Sequence, residues 1–101
     1  MIDANIRLMI HRITDLAIDV TAAGRYVADA DFHGHVCQFQ VTTRPVGQGY
    51  GSPGQYTRRI YLNQIGVLIT PAQATGVLRA MLCHLEVLLA EGPATQEDQP
   101  S

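Results

Sequence analysis

Six side chains in the middle of the chain carry the chemistry most readily turned to binding: Arg44, Tyr50, Tyr56, Arg58, Arg59 and Tyr61. Arginine presents a planar fork of donors that meets a carboxylate or a phosphate at two points, and tyrosine adds a flat face with a hydroxyl. Interleaved on a strand and loop, the two can grip phosphates and stack bases, as single-strand-binding surfaces do, or anchor a protein contact. They surround the run GQGYGSPG, a flexible segment able to close over a ligand. Its glycines fit neither the GxxxxGK[ST] phosphate loop nor the GxGxxG dinucleotide turn, so no nucleotide motif is assigned. An ordinary solvated hairpin explains the same residues without any ligand.

Other chemistries are weaker on these residues. His33, His35, Cys37, Cys83 and His84 are zinc-ligand types, but their spacing matches no finger or knuckle. His84 continues the apolar stripe of Val77, Met81 and Leu88, where it reads as a core-edge residue satisfied by one hydrogen bond. Cys37 with His35 or His84 is the one nucleophile-and-base pairing that can be drawn. The predicted hairpin places Cys37 on its apolar face, where a thiol loses acidity and reactivity. Asp29 and Asp31 share one face of a strand, and acid–base work would require an apolar pocket around them that the sequence does not supply. The reading is therefore of no enzyme, no metal site and no cofactor.

The elements that must position these groups follow from periodicity. Ile2, Ile6, Met9, Ile13, Leu16 and Val20 recur in steps of four and three, which predicts an amphipathic helix over residues 4–22. Its second half carries Ile13, Thr14, Ile18, Val20 and Thr21, whose branching lowers helix propensity. Residues 25–32 and 35–42 flank His33-Gly34, and a two-residue turn there pairs Phe32 with His35, Ala30 with Cys37, Ala28 with Phe39 and Tyr26 with Val41. Residues 45–55 hold four glycines and two prolines in eleven positions and read as a loop. A strand over 56–62 follows, then a turn and a short fourth strand over 67–69. Thr70-Pro71-Ala72-Gln73 is a capping-box helix start, and the helix it opens runs through Ala74, Val77, Leu78, Met81, Leu82, Leu85, Leu88 and Leu89 to stop at Gly92-Pro93.

The stretch from Gly66 to Gln73, glycine, short strand and then Thr-Pro-x-Gln, resembles the end of whirly-type single-stranded-DNA-binding coactivator domains. The resemblance covers those eight residues only, and the lysines such domains carry are missing from this chain.

Together these features predict an α+β fold, an antiparallel four-stranded sheet flanked by an N-terminal and a C-terminal amphipathic helix in the order α-β-β-β-β-α. Residues 1–92 form one domain and residues 93–101 an acidic disordered tail. With 47% hydrophobic and 16% charged residues the chain is globular, and a net charge of -2 gives no bulk attraction to nucleic acid or anionic membrane. All seven basic residues are arginine, which a GC-rich codon usage would also produce. No apolar run approaches the roughly 20 residues of a membrane span, and no signal peptide is visible, so both cysteines are read as buried structural thiols of a cytoplasmic protein. Ala80, Val87 and Ala90 broaden the apolar girth of the last helix, which suggests a homodimer sharing helical surface. The function this supports is a non-catalytic protein-interaction module, a small accessory or inhibitor-type protein of the kind a bacteriophage or mobile element encodes. The alternative is a single-stranded nucleic-acid or nucleotide-binding module built on the same arginines and tyrosines.

Overall fold

The computed structural model of the chain describes residues 4–47 and 54–91. It contains two long helices, α1 (Ala4–Ala23) and α2 (Pro71–Ala90), and three strands, β1 (Tyr26–His33), β2 (Gln38–Pro45) and β3 (Tyr56–Tyr61), in one antiparallel sheet of order β1-β2-β3. No described helix is long and apolar enough to cross a membrane.

The branched residues in the second half of α1 do not break it, because Ile13 and Val20 are held in the core, although Ile18 and Thr21 are exposed. Burying Ile13 and Val20 contributes about 1.5–3 kcal/mol each against propensity differences of a few tenths. α2 starts as its sequence predicts. The Thr70 hydroxyl accepts from the Gln73 amide at 3.0 Å while the Gln73 side chain accepts from the Thr70 amide at 2.8 Å, and proline occupies the first turn. Ala74, Leu78, Met81 and Leu85 then form its buried stripe.

Ala28 on β1, Phe39, Val41 and Thr43 on β2 and Ile60 on β3 are buried on the face that packs with α1 and α2. The opposite parity carries Asp29, Asp31, Gln38, Gln40, Thr42, Arg44, Thr57, Arg59 and Tyr61, with Val27 as the apolar exception, so this face is mainly polar even though Thr42 is buried on it. The two helices also pack on each other, giving two layers around one core.

Two expectations are corrected. The hairpin does not close on a two-residue turn at His33-Gly34. Such a turn requires a positive φ at its first central residue, and His33 stays extended at φ -102° and ψ 96°. The chain instead makes a 3-10 turn over Gly34–Val36, and Cys37 takes the left-handed conformation at φ 52° before β2 begins. His33 thus pairs with Gln38, Phe32 with Phe39, Ala30 with Val41, Ala28 with Thr43 and Tyr26 with Pro45. Each partner lies four positions beyond the one expected. An even shift leaves every side chain on its original face, so the core assignment of Phe39 and Val41 survives although the register does not.

The second correction is the strand count. Residues 67–69 are not a strand, and among the described residues the sheet has three strands rather than four. After a 3-10 turn at Leu62–Gln64, the amides of Val67, Leu68 and Ile69 all donate to the Gln64 carbonyl, and Gly66, at φ 85°, donates to Ile69. Amides gathered on one carbonyl cannot form a ladder, and Val67 and Leu68 are 78% and 73% exposed. Apolar content alone predicts a strand here, but among the described residues no strand lies alongside to pair with it. A single bridge between Ile65 and Ile69 is all that remains of pairing there.

Candidate functional site

β2, the central strand, places Arg44 near its end on the polar face, within 3.6 Å of the Asp29 carboxylate on neighbouring β1. This cation is thereby engaged inside the molecule. Tyr50 lies outside the described residues. The other four candidates sit on β3, where alternation divides them: Tyr56 and Arg58 project to the helix side, Arg59 and Tyr61 to the polar side.

Tyr56 is not free to stack on a base. Its ring lies against His84 of α2, with centroids 3.7 Å apart and planes 24° from parallel, and His84 Nε2 is 2.8 Å from the Thr43 hydroxyl. Thr43, Tyr56 and His84 thus form a small polar cluster at the edge of the core, and His84 is the satisfied core-edge histidine its helical spacing predicts. Burial lowers its pKa below the ordinary histidine value. Tyr61 is half-buried, its hydroxyl accepting from the Gln38 side chain at 3.0 Å.

Arg58 and Arg59 differ from the rest. Both are exposed, and among the described residues neither makes an ion pair or a hydrogen bond through its guanidinium. They stand on opposite faces of the strand at its outer edge, since among the described residues only β2 pairs with β3. The strand's backbone adds to this surface. Leu62 donates its amide to the Cys37 carbonyl at 2.8 Å, so the even-numbered residues turn their backbone groups toward β2. By alternation Thr57, Arg59 and Tyr61 turn theirs outward, away from the sheet.

The outer edge of β1 is treated differently. The Thr21 hydroxyl, at the end of α1, donates to the Ala28 carbonyl at 3.1 Å and accepts from the Ala28 amide at 3.0 Å. One side chain therefore occupies both outward backbone groups of that residue, as a neighbouring strand would. The sequence offers no signal for this contact: Thr21 is one of several branched residues there, and its partner depends on how α1 crosses the sheet.

The remaining candidates do not converge. Cys37 is off the ladder, half-buried in an open cleft of about 720 Å³ that Asn5, Ile6, Leu62 and Pro71 also line. Cys83 is exposed on α2, which corrects the expectation that both thiols are buried. The rings of His33 and His35 lie edge to face at 6.5 Å, and among the described residues no three metal-ligating side chains are grouped to hold an ion. Of the three residues expected to broaden the girth of the last helix, Val87 is 63% exposed, Ala90 is exposed and Ala80 is half-buried. Compared with family models, curated proteins and solved structures, the chain matches none.

Proposed function

We propose that this chain is a non-catalytic protein-interaction module, a small accessory or inhibitor-type protein whose partner surface is β3 and the loop that leads into it. The observation that carries the reading is the pair Arg58 and Arg59, two exposed cations at an open sheet edge with no counter-charge among the described residues. Arginine is enriched among the residues that dominate binding energy at protein interfaces. Tyr61, with its hydroxyl held by Gln38, adds a pre-ordered aromatic beside Arg59. The proposal takes Cys37 and Cys83 as thiols of a reducing, cytoplasmic compartment.

The nucleic-acid alternative draws less support from this arrangement. Tyr56 is stacked on His84, Arg44 is engaged by Asp29, and Arg58 and Arg59 point to opposite faces, so among the described residues no continuous basic aromatic platform forms. The discriminating experiment is capture from host lysate with the wild type and with Arg58→Ala plus Arg59→Ala. Loss of a protein partner with the melting temperature nearly unchanged is the expected result; unchanged capture excludes this surface. An elevated 260 nm absorbance of the purified protein, with binding that weakens steeply as salt rises, marks the nucleic-acid reading instead.

A further inference from the structure

We infer that the occupant of the β3 edge is an extended acidic peptide segment, which adds to the sheet as a fourth strand and sets an adjacent pair of carboxylates against Arg58 and Arg59. The inference rests on the protein-interaction reading and names the chemistry of the partner.

Three observations lead to it. The outward amides and carbonyls of Thr57, Arg59 and Tyr61 recur every second residue, the pattern of donors and acceptors that an incoming strand satisfies. A phosphate backbone brings acceptors for the amides but no donors for the three carbonyls, whereas an extended peptide brings both. The second observation is charge. Residues on a paired strand face the same side as the residues opposite them, so a side chain opposite Arg59 lies on the polar face and the adjacent one, opposite Arg58, on the helix face. Two consecutive acidic residues therefore meet both guanidinium groups at once, which a single acid cannot do.

The third observation concerns a second copy of the chain as the occupant. In antiparallel pairing of β3 with itself, the two registers that overlap the strand most fully place Arg58 opposite Arg58 or Arg59 opposite Arg59, and like charges directly opposite are destabilising. Pairing β3 with the β1 edge of another copy meets the Thr21 hydroxyl already bound to Ala28. The β3 edge is thus charged against its own kind and open to an acidic strand.

The test uses the full chain and three capped peptides: Thr-Val-Thr-Glu-Glu-Val-Thr, the same sequence with Lys-Lys at the centre, and the Glu-Glu peptide N-methylated at alternate residues. Binding is read from amide spectra and hydrogen exchange. The expected result is that the Glu-Glu peptide alone slows exchange at Thr57, Arg59 and Tyr61, by about tenfold or more at saturation, a strand-type protection. Arg58→Gln with Arg59→Gln, confirmed folded by its amide spectrum, weakens that binding by roughly 2- to 30-fold, as loss of two exposed ion pairs implies. Arg58→Glu with Arg59→Glu transfers the preference to the Lys-Lys peptide.

Several results overturn the inference: no binding by the Glu-Glu peptide, equal binding of all three peptides, or binding that leaves those three amides unprotected. Protection that grows with protein concentration in the absence of peptide assigns the edge to a second copy instead. If the peptides fail while lysate capture still depends on Arg58 and Arg59, strand addition falls and the interaction surface stands. If both fail, the surface itself is wrong.

Discussion

Replacing Thr21 by valine removes the hydroxyl that closes the β1 edge while keeping a β-branched side chain of nearly the same size. Thr and Val have similar helix propensities, so α1 itself is little affected, and the change isolates the two contacts to Ala28. Those contacts measure 3.0 and 3.1 Å, and a net 0.5–1.5 kcal/mol for each places the loss at about 1–3 kcal/mol. Thr21 is exposed, so water can replace the hydroxyl in part, whereas Ala28 is buried and its amide would lose a partner beside a valine methyl. The first effect pulls the loss toward the lower bound and the second toward the upper. For a domain of this size each kcal/mol lowers the melting temperature by roughly 4–8 °C. Urea denaturation with an unchanged slope should report the loss, and native-state exchange at the Ala28 amide should accelerate. Thr21→Ser, which restores the hydroxyl, should recover most of both. A valine variant within about 0.5 kcal/mol of wild type and with Ala28 exchange unaltered would refute the reasoning, because the hydroxyl would then not be holding the strand edge.

Three further outcomes are expected. Thr70→Ala removes one arm of the capping box and releases the other, costing about 0.5–2 kcal/mol in chemical denaturation. Leu78→Ala empties a fully enclosed position at the centre of the core and should cost about 2–5 kcal/mol in the same assay. His84 makes stability depend on pH. Because burial lowers its folded-state pKa, the unfolded chain takes up the proton first: its contribution is intact above the ordinary value of 6.5, falls as pH drops below it, and levels off once the folded form is protonated too. The slope from this one group cannot exceed about 1.4 kcal/mol per pH unit, and His84→Gln should remove that component from a pH series of urea midpoints.

What could be read from the residues, and what could not, follows from the range of the interactions involved. The α2 start is local, set by Thr70, Pro71 and Gln73 within one turn, and the residues alone contain it. The buried face of the hairpin is also local, since period-two alternation marks Ala28, Phe39 and Val41 whatever their partners. Register is not local. Pairings four residues apart satisfy the same alternation, and the choice fell to the backbone of His33 and Cys37, which hydrophobic patterning does not describe. The supposed fourth strand failed for a similar reason: Val67 and Leu68 are apolar, but the Gln64 carbonyl gathers their amides into a turn.

The candidate site was half legible. Residue type singled out Arg58 and Arg59, yet it could not separate them from Arg44 and Tyr56, whose contacts with Asp29 and His84 depend on how β1, β2 and α2 come together. That Thr21 guards one edge of the sheet while the other has no neighbour among the described residues depends on the same assembly.

The most direct test of the β3 edge as the partner surface is amide hydrogen exchange on the chain alone and with its captured partner bound. The account predicts that protection on binding appears at Thr57, Arg59 and Tyr61 and leaves Ala28 unchanged. Protection absent from those three amides, with new protection on the exposed faces of α1 or α2, would contradict it.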